Sequence, residues 1–217
     1  MKKILFGAVL LGSLVVSCSK NDDGEDVPAV SYLSLTPGQT RTFEVKDSIT
    51  GETGTVTQTS SSRDTAVAGR TYHVFDNSDG SREYFAVSGN NYFTLYNLPS
   101  GISDQPVELL YLKANGNVGT SWTQDFSFAV PGFPISIPVK FTHTIKEKGL
   151  SKTFGAITHT DVIRVESKIT STLLDIDSDI QTYCAPKYGV INITSHVAES
   201  TAGIEVNTRR TMISANF

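Results

Sequence analysis

The chain has 217 residues, 18 Lys plus Arg against 22 Asp plus Glu, and a formal charge of −4. That length suits one domain or two small ones, and the mild acidity with no basic stripe argues against a nucleic-acid partner. Apolar residues make up 39% and charged residues 18%, both below globular averages. About 49 Ser and Thr fill the gap, a bias that suits strands with solvated faces.

The first element is an address. Lys2 and Lys3 precede an apolar run from Ile4 to Val16. At about 13 residues the run is shorter than the ~20 a membrane-spanning helix needs, and it has the layout of an export signal. The phrase Val15-Val16-Ser17-Cys18 resembles a bacterial lipobox. That resemblance implies that residues 1–17 are removed and that Cys18 is acylated, which anchors the chain to a membrane at ~0.8 kcal/mol per buried CH₂. An ordinary signal with a coincidental Cys is the plainer alternative. Loss of Lys2 and Lys3 leaves 16 basic and 22 acidic residues, a charge of −6 for the mature form.

Residues 18–34 read as the lipidated Cys and a flexible tether, acidic from Asp22 to Asp26. The segment Ser19-Lys20-Asn21-Asp22-Asp23 is similar to the tether of Bacteroidota outer-membrane lipoproteins displayed at the cell surface. Asn21 separates the Lys from the acids, and a solvated linker on a periplasmic-facing lipoprotein gives the same composition. With Cys18 acylated, Cys184 has no partner, so no internal disulfide is expected. Cys184 then reads as a buried small hydrophobe.

From residue 35 to 217 the period is two. Thr40–Lys46, Thr71–Phe75, Arg82–Ser88 and Asn91–Asn97 read as strands, joined by turns at Asp76–Gly80 and Gly89-Asn90. Val107–Lys113 ends at the turn Asn115-Gly116-Asn117, and Thr120–Ala129 carries Trp122, Phe126 and Phe128 on one face. The most regular strand is Ile135–Ile145. Ile135, Ile137, Val139, Phe141 and Ile145 share a face with His143, and Pro138 on the other face marks an edge or bulge. Asp161–Thr170, Ile180–Cys184, Tyr188–Val197 and Ile204–Met212 complete the set. No stretch has a helical period. The expected fold is all-β, a single domain of mostly antiparallel strands with very little helix. Its sheet is curved into a half-barrel or sandwich.

Asn117–Trp122, Ile145–Gly149, Thr158–Val165 and Tyr183–Ile191 follow one another in a layout that resembles uncharacterised Bacteroidota lipoproteins. The resemblance spans roughly residues 117–195. It implies a curved antiparallel sheet akin to periplasmic lipoprotein carriers, and it supplies no catalytic residue.

The chemistry-bearing residues form no recognisable catalytic, cofactor or metal motif. His73, His143, His159 and His196 lack zinc spacing. Asp175-Ile176-Asp177-Ser178-Asp179 starts like a calcium loop, but Ile180 and Pro186 stand where Gly and Glu are required, so an acidic turn is expected. Glu83, Glu108, Asp125, Glu147 and Glu166 are the carboxylates from which a glycosidase pair could be assembled. The apolar segment Phe128–Ile135 reads either as a Pro-braced crossover or as a lip where Phe133 and Trp122 contact a ligand. Asp47-Ser48-Ile49 and Asp64-Thr65-Ala66 resemble the O-glycosylation acceptor of exported Bacteroidota proteins, which makes Ser48 and Thr65 candidates.

These readings lead to a non-enzymatic envelope lipoprotein that binds a glycan, peptide or partner protein at the outer membrane. Two alternatives stay open: a receptor holding lipid or lipoprotein acyl chains on the concave face of the sheet, and a hydrolase with an unrecognised carboxylate site.

Overall fold

The structure, a computed structural model, describes residues 31–96, 106–129, 136–200 and 203–217. Alternating Thr, Val, Ile and aromatic residues form twelve strands. The first six are β1 (Thr40–Asp47), β2 (Thr53–Val67), β3 (Arg70–Asn77), β4 (Arg82–Ser88), β5 (Asn91–Tyr96) and β6 (Val107–Lys113). The second six are β7 (Ser121–Ala129), β8 (Ser136–Phe154), β9 (Ile157–Ser171), β10 (Ile176–Ala185), β11 (Gly189–Glu199) and β12 (Ile204–Asn216). No helix occurs among the described residues.

All twelve strands belong to one antiparallel sheet, ordered β6-β5-β4-β3-β2-β1-β12-β11-β10-β9-β8-β7. Each paired neighbour is adjacent in sequence except β1 and β12, whose ladder runs from Thr40–Asn216 to Asp47–Thr208. Pairing the first strand with the last curls the meander into a nearly closed barrel, which removes most of the exposed sheet edge. No ladder joins β6 to β7. The all-β, antiparallel expectation holds, with the curvature carried further than a half-barrel.

The concave face is a packed core. Phe75, Phe85, Tyr92 and Leu112 from β3–β6 meet Trp122, Ile145, Ile163, Val165 and Cys184 from β7–β10. Tyr92, Leu112, Ile145, Ile163 and Val165 are fully buried, and burial of such a side chain contributes about 1.5–3 kcal/mol. Cys184 is a free, buried thiol whose pKa is pushed up by burial, which makes it inert. On β8 the alternation is as read from the sequence. Val139, Phe141, His143 and Ile145 point into the core, and Lys140 and Lys146 point out. Pro138 faces Ser127 of β7 and precedes the first rung to β9, Val139–Ser171. Its missing N–H therefore falls beyond that ladder.

The structure departs from the sequence expectation in three places. β2 is a fifteen-residue strand that the hydrophobic period did not reveal. β8 and β9 run on past Ile145 as a long hairpin, with register shifts between Ile145 and Lys152 and Gly149 at φ +73. Its Leu150, Phe154 and Ile157 pack on Phe43, Ile191 and Met212. The tether also ends earlier than residue 34. Tyr32 and Leu33 are buried, and Tyr32 N–H donates to the Tyr92 hydroxyl at 2.8 Å. Leu33 bridges to Tyr188. Two aromatic and aliphatic side chains in succession give this segment enough buried area to dock.

Candidate functional site

A groove of about 770 Å³ opens where residues 31–35 enter the domain. Its walls are that segment, the start of β9 (Thr158, His159, Thr160) and the β10–β11 turn (Ala185 to Tyr188). The turn is tight because Lys187 and Gly189 both adopt positive φ, +61 and +71. Only glycine fits at position 189. A Cβ there would stand 2.7 Å from Arg41 Nη1 and 2.9 Å from Leu33 Cδ1.

His159 is 2% exposed, and neither ring nitrogen has a hydrogen-bond partner. Its ring packs edge-on against Tyr188, centroids 4.9 Å apart. Burial holds its pKa below the ordinary histidine value, so the ring is a neutral donor and acceptor. The Lys187 ammonium lies 5.0 Å from the Tyr188 ring centroid. Ser31, Ser34, Thr158 and Thr160 add hydroxyls. An aromatic ring flanked by hydroxyls and one cation, with no carboxylate among the described lining residues, can hold a polar, hydroxyl-rich or anionic ligand.

Trp122, read from the sequence either as packed on the core or as a ligand contact, is a core residue. It is 7% exposed, and its indole N–H donates to the Leu110 carbonyl of β6 at 2.8 Å. Two residues along β7, Gln124 bonds to two backbone positions of β6. Its Oε1 accepts from Leu110 N–H at 2.7 Å, and its Nε2 donates to the Glu108 carbonyl at 3.0 Å. These side chains close the gap between β6 and β7. His143 stacks on Trp122, centroids 5.3 Å apart, and its Nδ1 shares a 2.7 Å hydrogen bond with Ser167 Oγ. Burial lowers its pKa to about 4.

Cys18 and Phe133 lie outside the described residues. Ser48 is exposed in the β1–β2 turn, where Asp47 Oδ1 accepts from the amides of Ile49 and Thr50. Thr65 sits within β2 opposite Tyr72 and is half-buried. The acidic turn expected at Asp175–Asp179 is an extended strand from Ile176 onward. Asp179 there pairs with Lys168 at 3.6 Å and Asp177 with His196 at 3.7 Å.

The five candidate carboxylates each face a cation. Glu83 pairs with Arg210, Glu108 with Arg70, Asp125 with Lys140, Glu147 with Arg164 and Glu166 with Lys146. Glu147 and Glu166 are brought to one face through Arg164 and Gln181. The bond from Lys146 holds the Glu166 carboxyl below its usual pKa, opposite to what a general acid needs.

One arrangement has no signature in the sequence. His73 Nε2 lies 2.9 Å from Ser60 Oγ, and its Nδ1 lies 2.9 Å from Asp64 Oδ1, the connectivity of a Ser–His–Asp triad. Its accessibility is inverted. Ser60 is 1% exposed, whereas the Asp64 side chain is 59% exposed. A nucleophile must meet substrate, so this chain of bonds satisfies a buried hydroxyl and ties the β2 bulge to β3.

No known protein-family profile matches the chain, and no curated protein matches it. Two solved structures are similar. One, described as a candidate lipoprotein of Parabacteroides distasonis ATCC 8503, has a TM-score of 0.50 at 8% identity over 87% of this chain and 100% of its own. The other, described as a candidate exported protein with YmcC-like fold from Bacteroides fragilis NCTC 9343, has a TM-score of 0.44 at 10% identity, with the same coverage. The first supports the fold.

Proposed function

We propose that this chain is a cell-envelope lipoprotein, anchored through an acylated Cys18, whose barrel is a non-enzymatic binding module. The groove beside the incoming segment is its binding site. The observation that carries the reading is the groove's lining, where Tyr188 stands among four hydroxyl side chains. That lining favours a glycan over a purely apolar ligand. The filled concave face leaves less room for acyl chains. The lipobox supplies the anchor, and the lipoprotein named among the similar folds fits the same location. Ser31 is 13 residues from Cys18, so the groove lies within about 45 Å of the acyl group. A ligand at the membrane surface is within reach. The acidic tether favours the outer face of the outer membrane.

Labelling with radioactive palmitate tests the anchor; wild type takes up label and Cys18→Ala does not. Native mass spectrometry of the detergent-extracted lipoprotein tests the site. The expected result is an oligosaccharide mass, released by denaturation and absent from Tyr188→Ala. A bare wild-type protein would remove the glycan reading and leave a peptide or partner protein to be sought by cross-linking.

A further inference from the structure

The β10–β11 turn breaks a sequence preference at one position of the groove. Ala185-Pro186-Lys187-Tyr188 is a four-residue turn, closed by Tyr188 N–H donating to the Ala185 carbonyl at 3.2 Å. Proline takes its second position and Lys187, at φ +61, its third, the pattern of a type II turn. That third position favours glycine or asparagine, because a Cβ is crowded at positive φ. Gly189, at φ +71, meets the same demand with glycine. Lysine at 187 therefore stands against the local preference. It is an exposed residue, so no core position demands it.

The backbone at this point is pinned. Lys187 N–H donates to the Ser31 carbonyl at 2.7 Å, and the Lys187 carbonyl accepts from Ser34 N–H at 2.9 Å. The next carbonyl, that of Tyr188, accepts from Arg41 Nη1 at 2.5 Å. The ammonium stands over the aromatic wall of the groove, 5.0 Å from the Tyr188 ring centroid and 5.6 Å from that of Phe217. Those two rings meet edge-on with centroids 4.9 Å apart. Among the described residues no carboxylate lies within 4.0 Å of Lys187 Nζ, and no acceptor takes its hydrogen bonds. Asp161, next to the groove's Thr160, accepts from the Tyr32 hydroxyl at 3.2 Å instead.

We propose that the saccharide held in this groove is acidic, its carboxylate or phosphate group pairing with the Lys187 ammonium while Tyr188, Thr158 and Thr160 take the sugar. The proposal rests on the reading of the groove as a glycan site. An unpaired cation on an aromatic wall adds an attractive contact for an acidic sugar and none for a neutral one. That contact is what the left-handed lysine supplies and a glycine would not, in keeping with the tendency of backbone strain to gather at ligand sites.

The test extends the native mass spectrometry of the intact lipoprotein. Fragmentation of the co-purified saccharide should show a uronic acid or a sugar phosphate. Neutral sugars alone would overturn this proposal and leave the glycan reading standing; a bare protein would remove both. The protein, freed of saccharide by dialysis in detergent, is then titrated with glucuronic acid, glucose 6-phosphate, glucose and inorganic phosphate at equal ionic strength. One of the two acidic sugars should bind about fivefold more tightly than glucose. Lys187→Arg should keep that preference. Lys187→Gly should abolish it without weakening glucose, and its thermal midpoint should equal or exceed that of wild type, because glycine relieves the left-handed conformation. Acidic sugars no tighter than glucose, or a preference that survives Lys187→Gly, would overturn the proposal. So would a Lys187→Gly midpoint well below wild type, which would assign the lysine to packing. Inorganic phosphate binding as tightly as the acidic sugars would overturn it in favour of a free-ion site.

Discussion

The barrel is closed twice, by different means. Between β1 and β12 the closure is a backbone ladder from Thr40–Asn216 to Asp47–Thr208. Between β6 and β7 it is made by side chains: Trp122 and Gln124 reach the backbone of Leu110 and Glu108. Lys148 Nζ reinforces the adjoining turn by donating to the carbonyls of Ala114 and Gly116, both at 2.9 Å. A ladder draws its hydrogen bonds from peptide groups that every non-Pro residue carries. A side-chain seam depends on the identity of a few residues. Distant termini can therefore be joined with little sequence specificity, while two strands adjacent in sequence are held by two particular side chains.

Trp122→Ala should break the seam most severely. It removes a buried indole and the donor to Leu110, and the expected loss is about 3–5 kcal/mol. Chemical denaturation would measure it. Hydrogen exchange should show accelerated loss at β6 amides while those of β1 remain protected. Equal acceleration at β1 would mean that the two closures open as one unit.

Acid should act on the same side of the barrel. The folded pKa of His143, about 4, lies below the ordinary ~6.5 of an unfolded chain. The unfolded state therefore binds more protons between those values. Stability is full above pH ~6.5, falls as pH drops towards ~4 and loses nothing further from this group below that. The upper limit is about 3 kcal/mol. His143→Phe keeps an aromatic ring beside Trp122 and should flatten the difference between thermal midpoints at pH 7 and 4.5. Carboxylates and His159 titrate alike in both proteins, so an unchanged difference would show that His143 is not the group responsible.

What could be read from the sequence follows from how each strand buries its face. β8 was legible because Val139, Phe141 and Ile145 alternate with Lys140 and Lys146. β2 was not, because its inward positions are Gln58 and Ser60, which bond to Arg41 and His73. No hydrophobic period marks them. The hairpin beyond Ile145 was missed because successive bulges shift the side chains out of phase. Trp122 was legible as an important aromatic but not as a seam residue. Its role depends on β6 lying alongside without a ladder, which a turn at Asn115–Asn117 does not reveal. The groove joins residues 31–35, 158–160 and 185–188; the β9–β10 hairpin sets the last two side by side, but the docking of residues 31–34 on Lys187 and Tyr188 spans about 150 residues and no local pattern announces it.

Gln124→Ala offers a milder cut than Trp122→Ala. It leaves Leu110 N–H and the Glu108 carbonyl without their side-chain partners, and the expected loss is about 1–3 kcal/mol. Gln124→Glu separates the two bonds, since a carboxylate can accept from Leu110 but cannot donate to Glu108. It should fall between wild type and alanine in the same denaturation experiment. A glutamate variant as weak as alanine would assign the seam to the donated bond.

The smallest effect belongs to the other closure. Lys46 and Arg209 are directly opposite across the β1–β12 ladder and both exposed, and like charges so placed repel. Arg209→Thr should therefore leave stability within about 0.5 kcal/mol of wild type, shifted towards greater stability, most visibly at low salt. The backbone rungs need nothing from this side chain. A loss as large as that of Gln124→Ala would show that the ladder also relies on particular side chains, and the contrast between the two closures would disappear.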